Sequence, residues 1–397
     1  MATRPSADRS TFVRPVPFSN GARRIRNPIA ENPVARAVLV VVAMLCCAEL
    51  AARVDDWIRF DVPFTHTPDA VTDLRVSDSL GFHGRPRGRY HQFKLNNFGF
   101  RGRDITLLPA PGCTRVLALG ASETMGYYET AGKEYPAQLA DSLQRFGCHE
   151  VLNGGIPGMS LKSIVAFWNT YARRFAPQVV LIYPSPAFYL GNEVSGWPPV
   201  TATVATTVAP AAVPPRPRLI DRLHQTLHTP DVIQKKRFER WIRLETAGKP
   251  DSWYFHSPPA DRLAIFLRDL DSLVTDIRAA GAVPVVMSHA TRTSFPGRSE
   301  DELLLLGWHR YAPRASADVM LRFERIVSDS VRVYAARKRI PLVDIDSALT
   351  GHYQLFGDVV HFTDEGAARV AGTIARAIGG TSLESNNGPS ASADRIR

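Results

Sequence analysis

Three side chains in this sequence are of the types that form a catalytic triad: Ser122, Asp358 and His361. Asp358 and His361 are three positions apart, which lets the carboxylate reach the imidazole, fix its tautomer and leave the other ring nitrogen for a serine. A serine hydroxyl is a poor nucleophile at neutral pH unless such a base accepts its proton. The sequence therefore predicts acyl transfer with Ser122 as nucleophile, His361 as base and Asp358 orienting the base.

Predicted strands and helices must bring these residues together. Residues 115–119 form a mostly aliphatic run that stops at Gly120-Ala121-Ser122, which is typical of a buried strand ending in a tight turn. Apolar residues then recur at helical spacing over 135–143, and the Asp-His pair precedes an amphipathic segment, 367–378. Because ligands of an open α/β sheet bind beyond the carboxyl ends of its strands, we expect Ser122 to lie in that crevice.

Three motifs together resemble those of the SGNH hydrolases, also called GDSL-like esterases. Gly120-Ala121-Ser122 is similar to the Gly-Asp-Ser motif after the family's first strand, and Asn153-Gly154-Gly155 is similar to the glycine motif after its second. Asp358 and His361 match its Asp-x-x-His motif. The resemblance covers roughly residues 96–380. It implies a three-layer α/β/α domain with a five-stranded parallel sheet of flavodoxin-like order that cleaves or transfers an acyl ester.

One motif departs from the family pattern. SGNH hydrolases usually carry Gly-x-Asn after the third strand, where the asparagine helps to bind the oxyanion, but residues 179–186 here read Val-Val-Leu-Ile-Tyr-Pro-Ser-Pro. Asn192 comes later and would reach the site only if its loop folds over it. The resemblance leaves the backbone N–H groups of Ser122 and Gly155 as oxyanion donors. Loss of one donor typically lowers kcat about a hundred- to a thousandfold, so a weakly active or inactive domain that binds a glycan or a partner stays an alternative.

Two further segments border the predicted site. His289 follows the predicted fourth strand, 283–288, at the same sheet edge as Ser122, and the pattern is equally compatible with a substrate contact and a capped structural histidine. Residues 94–102, Lys-Leu-Asn-Asn-Phe-Gly-Phe-Arg-Gly, are similar to a stretch found in exported SGNH-like proteins. We expect its glycines to form a turn that lays its two phenylalanines against the domain, while Arg101 points elsewhere. A position at the rim of the active site is the alternative.

An apolar segment, 34–53, is interpreted as a membrane anchor. Its uninterrupted apolar part, 37–48, is shorter than the roughly 20 residues of a full span, so the span must include Arg36 and Glu49. Arginines cluster before it, so the positive-inside rule predicts an N-terminus in the cytoplasm and a catalytic domain in the periplasm or outside the cell. A cleaved signal peptide and a buried soluble helix are the alternatives.

The two cysteines outside that segment, Cys113 and Cys148, each precede a predicted strand. Those strands are neighbours in flavodoxin-like order, about 4.8 Å apart, which is within reach of a disulfide. We therefore predict a Cys113–Cys148 disulfide, which an oxidising compartment would preserve. Two unrelated buried thiols are the alternative.

The predicted domain, 113–380, follows an N-terminal extension, 54–112, and contains an insertion, 193–257. The insertion begins with a run of low complexity and continues as a basic helix that either faces an acidic polymer or lipid headgroups or is simply solvated. It could cap the site and select the substrate. A basic leader, 1–33, and a tail, 381–397, are predicted to be disordered.

Composition narrows the class of function. The 397 residues carry a net charge of +10, of which residues 1–36 supply +5, from seven arginines and two acidic residues. The sequence has no basic stripe with interleaved aromatic residues, so nucleic-acid binding is not predicted. It also has no motif that predicts a metal site or another cofactor. Export and resemblance together favour O-acetyl groups of an envelope or secreted polysaccharide as substrate, with water or a sugar hydroxyl as acceptor.

Overall fold

The computed structural model describes residues 32–66, 69–191, 217–226, 229–297 and 299–379. The predicted tail, nearly all of the predicted leader and the first part of the predicted insertion lie outside these residues.

The N-terminal helix, α1 (Pro33–Phe60), is 28 residues long and extends beyond the predicted anchor. Its most apolar window has a mean hydropathy of 2.2, and 0% of that window is buried. This helix is long and apolar enough to cross a membrane, and a signal sequence would meet the same criteria. The chain divides into two compact units, Met1–Ala51 and Ala52–Arg397, and the first is described from Asn32 onward.

Short elements follow α1. Helix α2 (Ala70–Leu74) is capped by Asp69, whose side chain accepts hydrogen bonds from the N–H groups of Val71 and Thr72. Two antiparallel hairpins come next. Their strands are β1 (Arg75–Asp78), β2 (Gly81–Gly84), β3 (Arg89–Tyr90) and β4 (Phe93–Lys94).

A five-stranded parallel sheet forms the centre of the second unit. Its order is β6-β5-β7-β8-β9, so the strand that is second along the chain lies at one edge, next to the first. This is the flavodoxin-like order, and the predicted fold class is confirmed. The strands are β5 (Thr114–Gly120), β6 (His149–Asn153), β7 (Val179–Tyr183), β8 (Val283–Met287) and β9 (Leu342–Val343).

Helices cover both faces of this sheet, as a parallel sheet requires. Leu117 and Leu119 of β5 belong to one core cluster, whereas Val116 and Ala118 belong to the other. Apolar residues of α5, α8 and α10 fill the first cluster, and those of α4, α11 and α12 fill the second. The helices are α3 (Ser122–Met125), α4 (Tyr135–Leu143), α5 (Leu161–Thr170), α6 (Arg218–Thr226), α7 (Asp231–Thr246), α8 (Ala260–Ala279), α9 (Glu302–His309), α10 (Ala317–Lys338), α11 (Ile345–Leu349) and α12 (Asp364–Ile378).

Two details at the edge of the sheet bear on the predictions. The predicted disulfide is confirmed: Cys113 and Cys148 are bonded, with their Cα atoms 4.6 Å apart. The run 341–345, Pro-Leu-Val-Asp-Ile, predicts the fifth strand, but β9 spans only Leu342–Val343. It is shorter because Asp344 leaves the sheet to cap α11, where its side chain accepts a hydrogen bond from the N–H of Ser347.

Candidate active site

Ser122 stands where β5 gives way to helix α3. A Cβ atom at Gly120 would lie 2.0 Å from Oγ1 of Thr124, so the turn between strand and helix needs a glycine there. Ser122 is half-buried, and its hydroxyl donates a hydrogen bond of 3.4 Å to Oε2 of Glu123. The hydroxyl of the predicted nucleophile therefore points to the neighbouring carboxylate.

Asp358 and His361 form a directly bonded pair. Nδ1 of His361 lies 2.7 Å from Oδ2 of Asp358, and the other carboxylate oxygen accepts the N–H groups of Val360 and His361, both at 2.9 Å. Nδ1 therefore carries the proton. Nε2 of His361 is buried without a hydrogen-bond partner among the described residues, so it is the nitrogen that could accept a proton from a substrate or a nucleophile.

The environment of His361 favours its charged form. Burial alone would lower the pKa of this imidazole, but Asp358, and after it Glu123 and Glu129, raise the pKa above its usual value. Glu123 directly follows Ser122 in the chain, so its contribution to the pKa of His361 indicates that the predicted base lies near the serine turn. No direct hydrogen bond between Ser122 and His361 occurs in the described structure. Catalytic hydrogen bonds are often long or absent without substrate.

A second buried charged group lies behind the serine. Glu123 is 3% exposed; both of its oxygens accept the hydroxyl of Ser185, at 3.0 and 3.1 Å, and one lies 3.4 Å from Nε2 of His289. Nδ1 of His289 is 2.7 Å from Oε2 of Glu324. Burial alone would lower the pKa of His289, but the two carboxylates raise it to about 10. His289 is thus an imidazolium between two carboxylates, which favours the structural role over a substrate contact.

The residues expected to bind the oxyanion are only partly available. The N–H of Gly155 donates to Oδ1 of Asn153 at 3.0 Å, so this predicted donor is already engaged. A Cβ atom at Gly155 would lie 2.3 Å from the backbone N of Met125, which explains the glycine by close approach to α3. Ser122 opens α3, so its N–H has no intrahelical acceptor. Asn192 lies outside the described residues.

Arg101 corrects one expectation about the segment 94–102. The guanidinium was expected to point away, but it is 6% exposed and donates to the carbonyl oxygens of Met125, at 2.6 Å, and Gly126. These carbonyls end helix α3, where a cation is favoured by the helix dipole. It also pairs with Glu134 at 3.4 Å. Arg101 therefore joins the segment 94–102 to the end of the helix that begins with Ser122.

Solved structures similar to this chain include GDSL-family lipolytic proteins and acetylxylan esterases. A catalytic mutant of an acetylxylan esterase from Geobacillus stearothermophilus has 15% identity and a TM-score of 0.40 over 70% of this chain and 98% of that one. A GDSL-like lipase from Bacteroides thetaiotaomicron has 14% identity and a TM-score of 0.34 over 66% and 87%. No protein-family model and no curated protein matches this sequence. Likenesses this distant carry no argument, so the activity must be argued from the side chains of the site.

Sequence reasoning missed the glutamates of the site. Glu123, Glu129 and Glu324 are all buried. Glu123 and Glu129 are six positions apart, but Glu324 belongs to a distant segment, and no recognisable motif marks the three together. Glu129 follows α3, and burial raises the pKa of its carboxyl group to about 8. The only available signal was Glu123 itself, an acidic residue directly after the predicted nucleophile. Among the described residues, no group of three or more acidic, histidine or cysteine side chains could hold a metal ion.

Proposed function

We propose that this chain hydrolyses acyl esters, with Ser122 as nucleophile, His361 as general base and Asp358 as the group that orients the base. One observation carries the proposal: Asp358 holds Nδ1 of His361 at 2.7 Å while Nε2 is buried and unpartnered among the described residues. That arrangement is the one a serine hydrolase needs, because the ring nitrogen facing the nucleophile must be able to accept a proton.

The proposed reaction proceeds in two halves. The hydroxyl of Ser122 leaves Glu123 and attacks the ester carbonyl carbon while its proton passes to Nε2 of His361, whose positive charge Asp358 stabilises. When the carbon–oxygen bond to the alcohol breaks, His361 gives that proton to the leaving alcohol and the acyl group stays on Ser122. A water molecule then gives a proton to Nε2 of His361 while its oxygen attacks the acyl carbon. The bond between that carbon and the Ser122 oxygen breaks, His361 returns the proton to this oxygen, and the acid is released. A sugar hydroxyl in place of water would make the reaction an acyl transfer.

The proposed location is outside the cytoplasm, with α1 as a single-pass anchor and the N-terminus inside. Two observations support export: α1 is long and apolar enough to span a membrane, and Cys113 and Cys148 form a disulfide, which reducing compartments do not preserve. Esters available outside the cytoplasmic membrane include O-acetyl groups of envelope and secreted polysaccharides. We propose such a polysaccharide as the substrate.

A second candidate is an SGNH-like domain that binds a glycan or a partner without turnover. It is favoured by the engaged N–H of Gly155, by the hydroxyl of Ser122 bonding Glu123 instead of His361, and by the Pro-Ser-Pro sequence in place of Gly-x-Asn. For catalysis, each of these three features must change or be compensated, so that the oxyanion has hydrogen-bond donors and the nucleophile has a base.

Hydrolysis of p-nitrophenyl acetate by the full chain in detergent separates the two. We expect Ser122→Ala and His361→Ala each to lower kcat/KM by about a thousandfold or more. The matched control is Ser330→Ala on helix α10, whose hydroxyl donates only to its own helix at Ile326, and it should keep wild-type turnover. A wild type no faster than Ser122→Ala would rule out the esterase and leave the binding domain.

A further inference from the structure

Two exposed aromatic rings lie directly beside the proposed base. Tyr127 and Tyr128 are 48% and 51% exposed, and their ring centroids lie 5.3 and 5.6 Å from that of His361. The two tyrosine rings are perpendicular, with centroids 5.2 Å apart. They therefore form a corner that is open to solvent on one side and in contact with the catalytic imidazole on the other.

Both rings are held in place by their neighbours. A Cβ atom at Gly357 would lie 2.9 Å from the ring of Tyr128, so this ring packs on bare backbone of the loop that carries the base. Burial, and after it Asp358, raises the pKa of the Tyr128 hydroxyl. Tyr127 packs against Phe93 of β4 at 6.2 Å between centroids. The exposed faces are thus presented by a rigid support, as a preformed binding surface requires.

Tyr127 and Tyr128 thus offer two exposed aromatic faces and two phenolic hydroxyls beside His361. We call these two residues the aromatic rim.

We propose that the aromatic rim is the subsite for the sugar ring that carries the acyl group. The inference rests on the proposed function: an acyl carbonyl in reach of Ser122 and His361 leaves the alcohol half of the ester to cross the surface next to His361. Flat aromatic faces complement the C–H faces of a pyranose, and the phenolic hydroxyls can bond its hydroxyl groups. A long acyl chain would instead need an enclosed apolar channel, and these rings are exposed and carry polar groups.

The test compares two acetate esters that differ only in the alcohol. The full chain is assayed with chemically O-acetylated xylo-oligosaccharides and with methyl acetate, and the ratio of the two kcat/KM values is recorded. We expect Tyr127→Ala and Tyr128→Ala to lower this ratio about tenfold, chiefly through a higher KM for the oligosaccharide. Tyr127→Phe keeps the ring and should retain most of the ratio.

The matched control is Phe295→Ala. Phe295 is another exposed aromatic residue, 66% exposed, but it belongs to the loop after β8 and not to the rim. Its substitution should leave the ratio at the wild-type value. Three results would each overturn the proposal. The first is an equal fall of the ratio in Phe295→Ala, and the second is an unchanged ratio in both tyrosine variants. The third is a loss in the tyrosine variants that is confined to hydrolysis of p-nitrophenyl octanoate.

Binding in the Ser122→Ala background separates this inference from the proposed function. Calorimetric titration of that variant with the same O-acetylated oligosaccharides should give saturable binding, weakened about tenfold by Tyr127→Ala. If the wild type shows no esterase activity but this pattern of binding holds, the proposed function fails and the subsite stands. If the wild type is an active esterase and the titration shows no effect of Tyr127→Ala, the subsite fails alone.

Discussion

The structure contains two histidines that each bond a carboxylate through Nδ1 at 2.7 Å, His289 to Glu324 and His361 to Asp358. They differ at the other ring nitrogen. Nε2 of His289 meets a second carboxylate, Glu123, at 3.4 Å, and the side chain is 1% exposed. Nε2 of His361 has no hydrogen-bond partner among the described residues, and its side chain is 17% exposed.

This difference decides which histidine can act as a base. Two carboxylates raise the pKa of His289 to about 10, so at neutral pH both ring nitrogens carry protons and neither can accept another. His361 has one directly bonded carboxylate, which raises its pKa against the effect of burial but leaves Nε2 without a second acidic partner among the described residues. One carboxylate orients an imidazole and leaves it able to titrate, whereas two convert it into a fixed positive charge.

Among substitutions of the carboxylates that bond the two histidines, the largest effect on catalysis should come from Asp358→Asn. The amide cannot stabilise the imidazolium and permits the wrong tautomer of His361, so we expect kcat for p-nitrophenyl acetate to fall by about a thousandfold or more. The melting temperature should change little, because both side chains of this pair are partly exposed. A large loss of stability with modest loss of kcat would make this pair structural.

The opposite outcome is expected for Glu324→Gln, the matching substitution at His289. Removing one partner of a buried charged pair typically costs about 3–5 kcal/mol, so the free energy of unfolding in urea should fall by that order while kcat falls far less than in Asp358→Asn. Because the folded pKa of His289, about 10, lies above its usual 6.5, this stabilisation is complete below about pH 6.5 and is lost as pH rises towards 10. The loss with rising pH should be smaller in Glu324→Gln. Equal stability of wild type and variant would contradict the model of a buried imidazolium.

A smaller effect should appear in the pH dependence of turnover. His361 must be neutral to accept a proton, and its pKa is raised above 6.5, so kcat/KM for methyl acetate should rise with pH through a midpoint above 6.5 and then level off. Asp358→Asn removes the carboxylate that contributes most to raising the pKa of His361 against the effect of burial. The residual kcat/KM should therefore rise with pH through a lower midpoint. A midpoint that does not move would assign the titration to another group, of which Glu129 is the nearest buried carboxyl with a raised pKa.

The sequence predicted well what depends on neighbours along the chain. Ser160 directly precedes an apolar helical pattern, which predicts an N-cap, and it caps α5 by accepting a hydrogen bond from the N–H of Ser163. Asp358 lies close to His361 because three positions separate them. The strand order, in contrast, was implied by the family resemblance. The contacts that escaped prediction join distant segments. Glu123 meets Ser185 across 62 positions and His289 across 166, and no periodicity marks such pairs.

Arg101 is another residue whose contacts with a distant segment could not be predicted from the sequence. Glycines around it correctly predicted a turn, and Phe100 is 2% exposed as expected. The direction of the arginine depended on carbonyl groups at the end of α3, which tertiary packing alone brings within reach. On helix α10, helical spacing groups Ile326 with Phe323 and Val327 and predicts that it faces inward. It is nevertheless 38% exposed, because helical periodicity defines a stripe less sharply at its margins.

The disulfide between Cys113 and Cys148 encloses the serine turn and both rim tyrosines within one covalent loop, since the two cysteines are 35 positions apart. Closing a loop of that size removes conformational freedom from the unfolded chain and typically contributes about 3–4 kcal/mol. In a reducing cytoplasm the same segment lacks this contribution. Under the export proposed above, newly synthesised chains would therefore be less stable in the native state, and so easier to translocate, until oxidation outside the cytoplasm forms the disulfide.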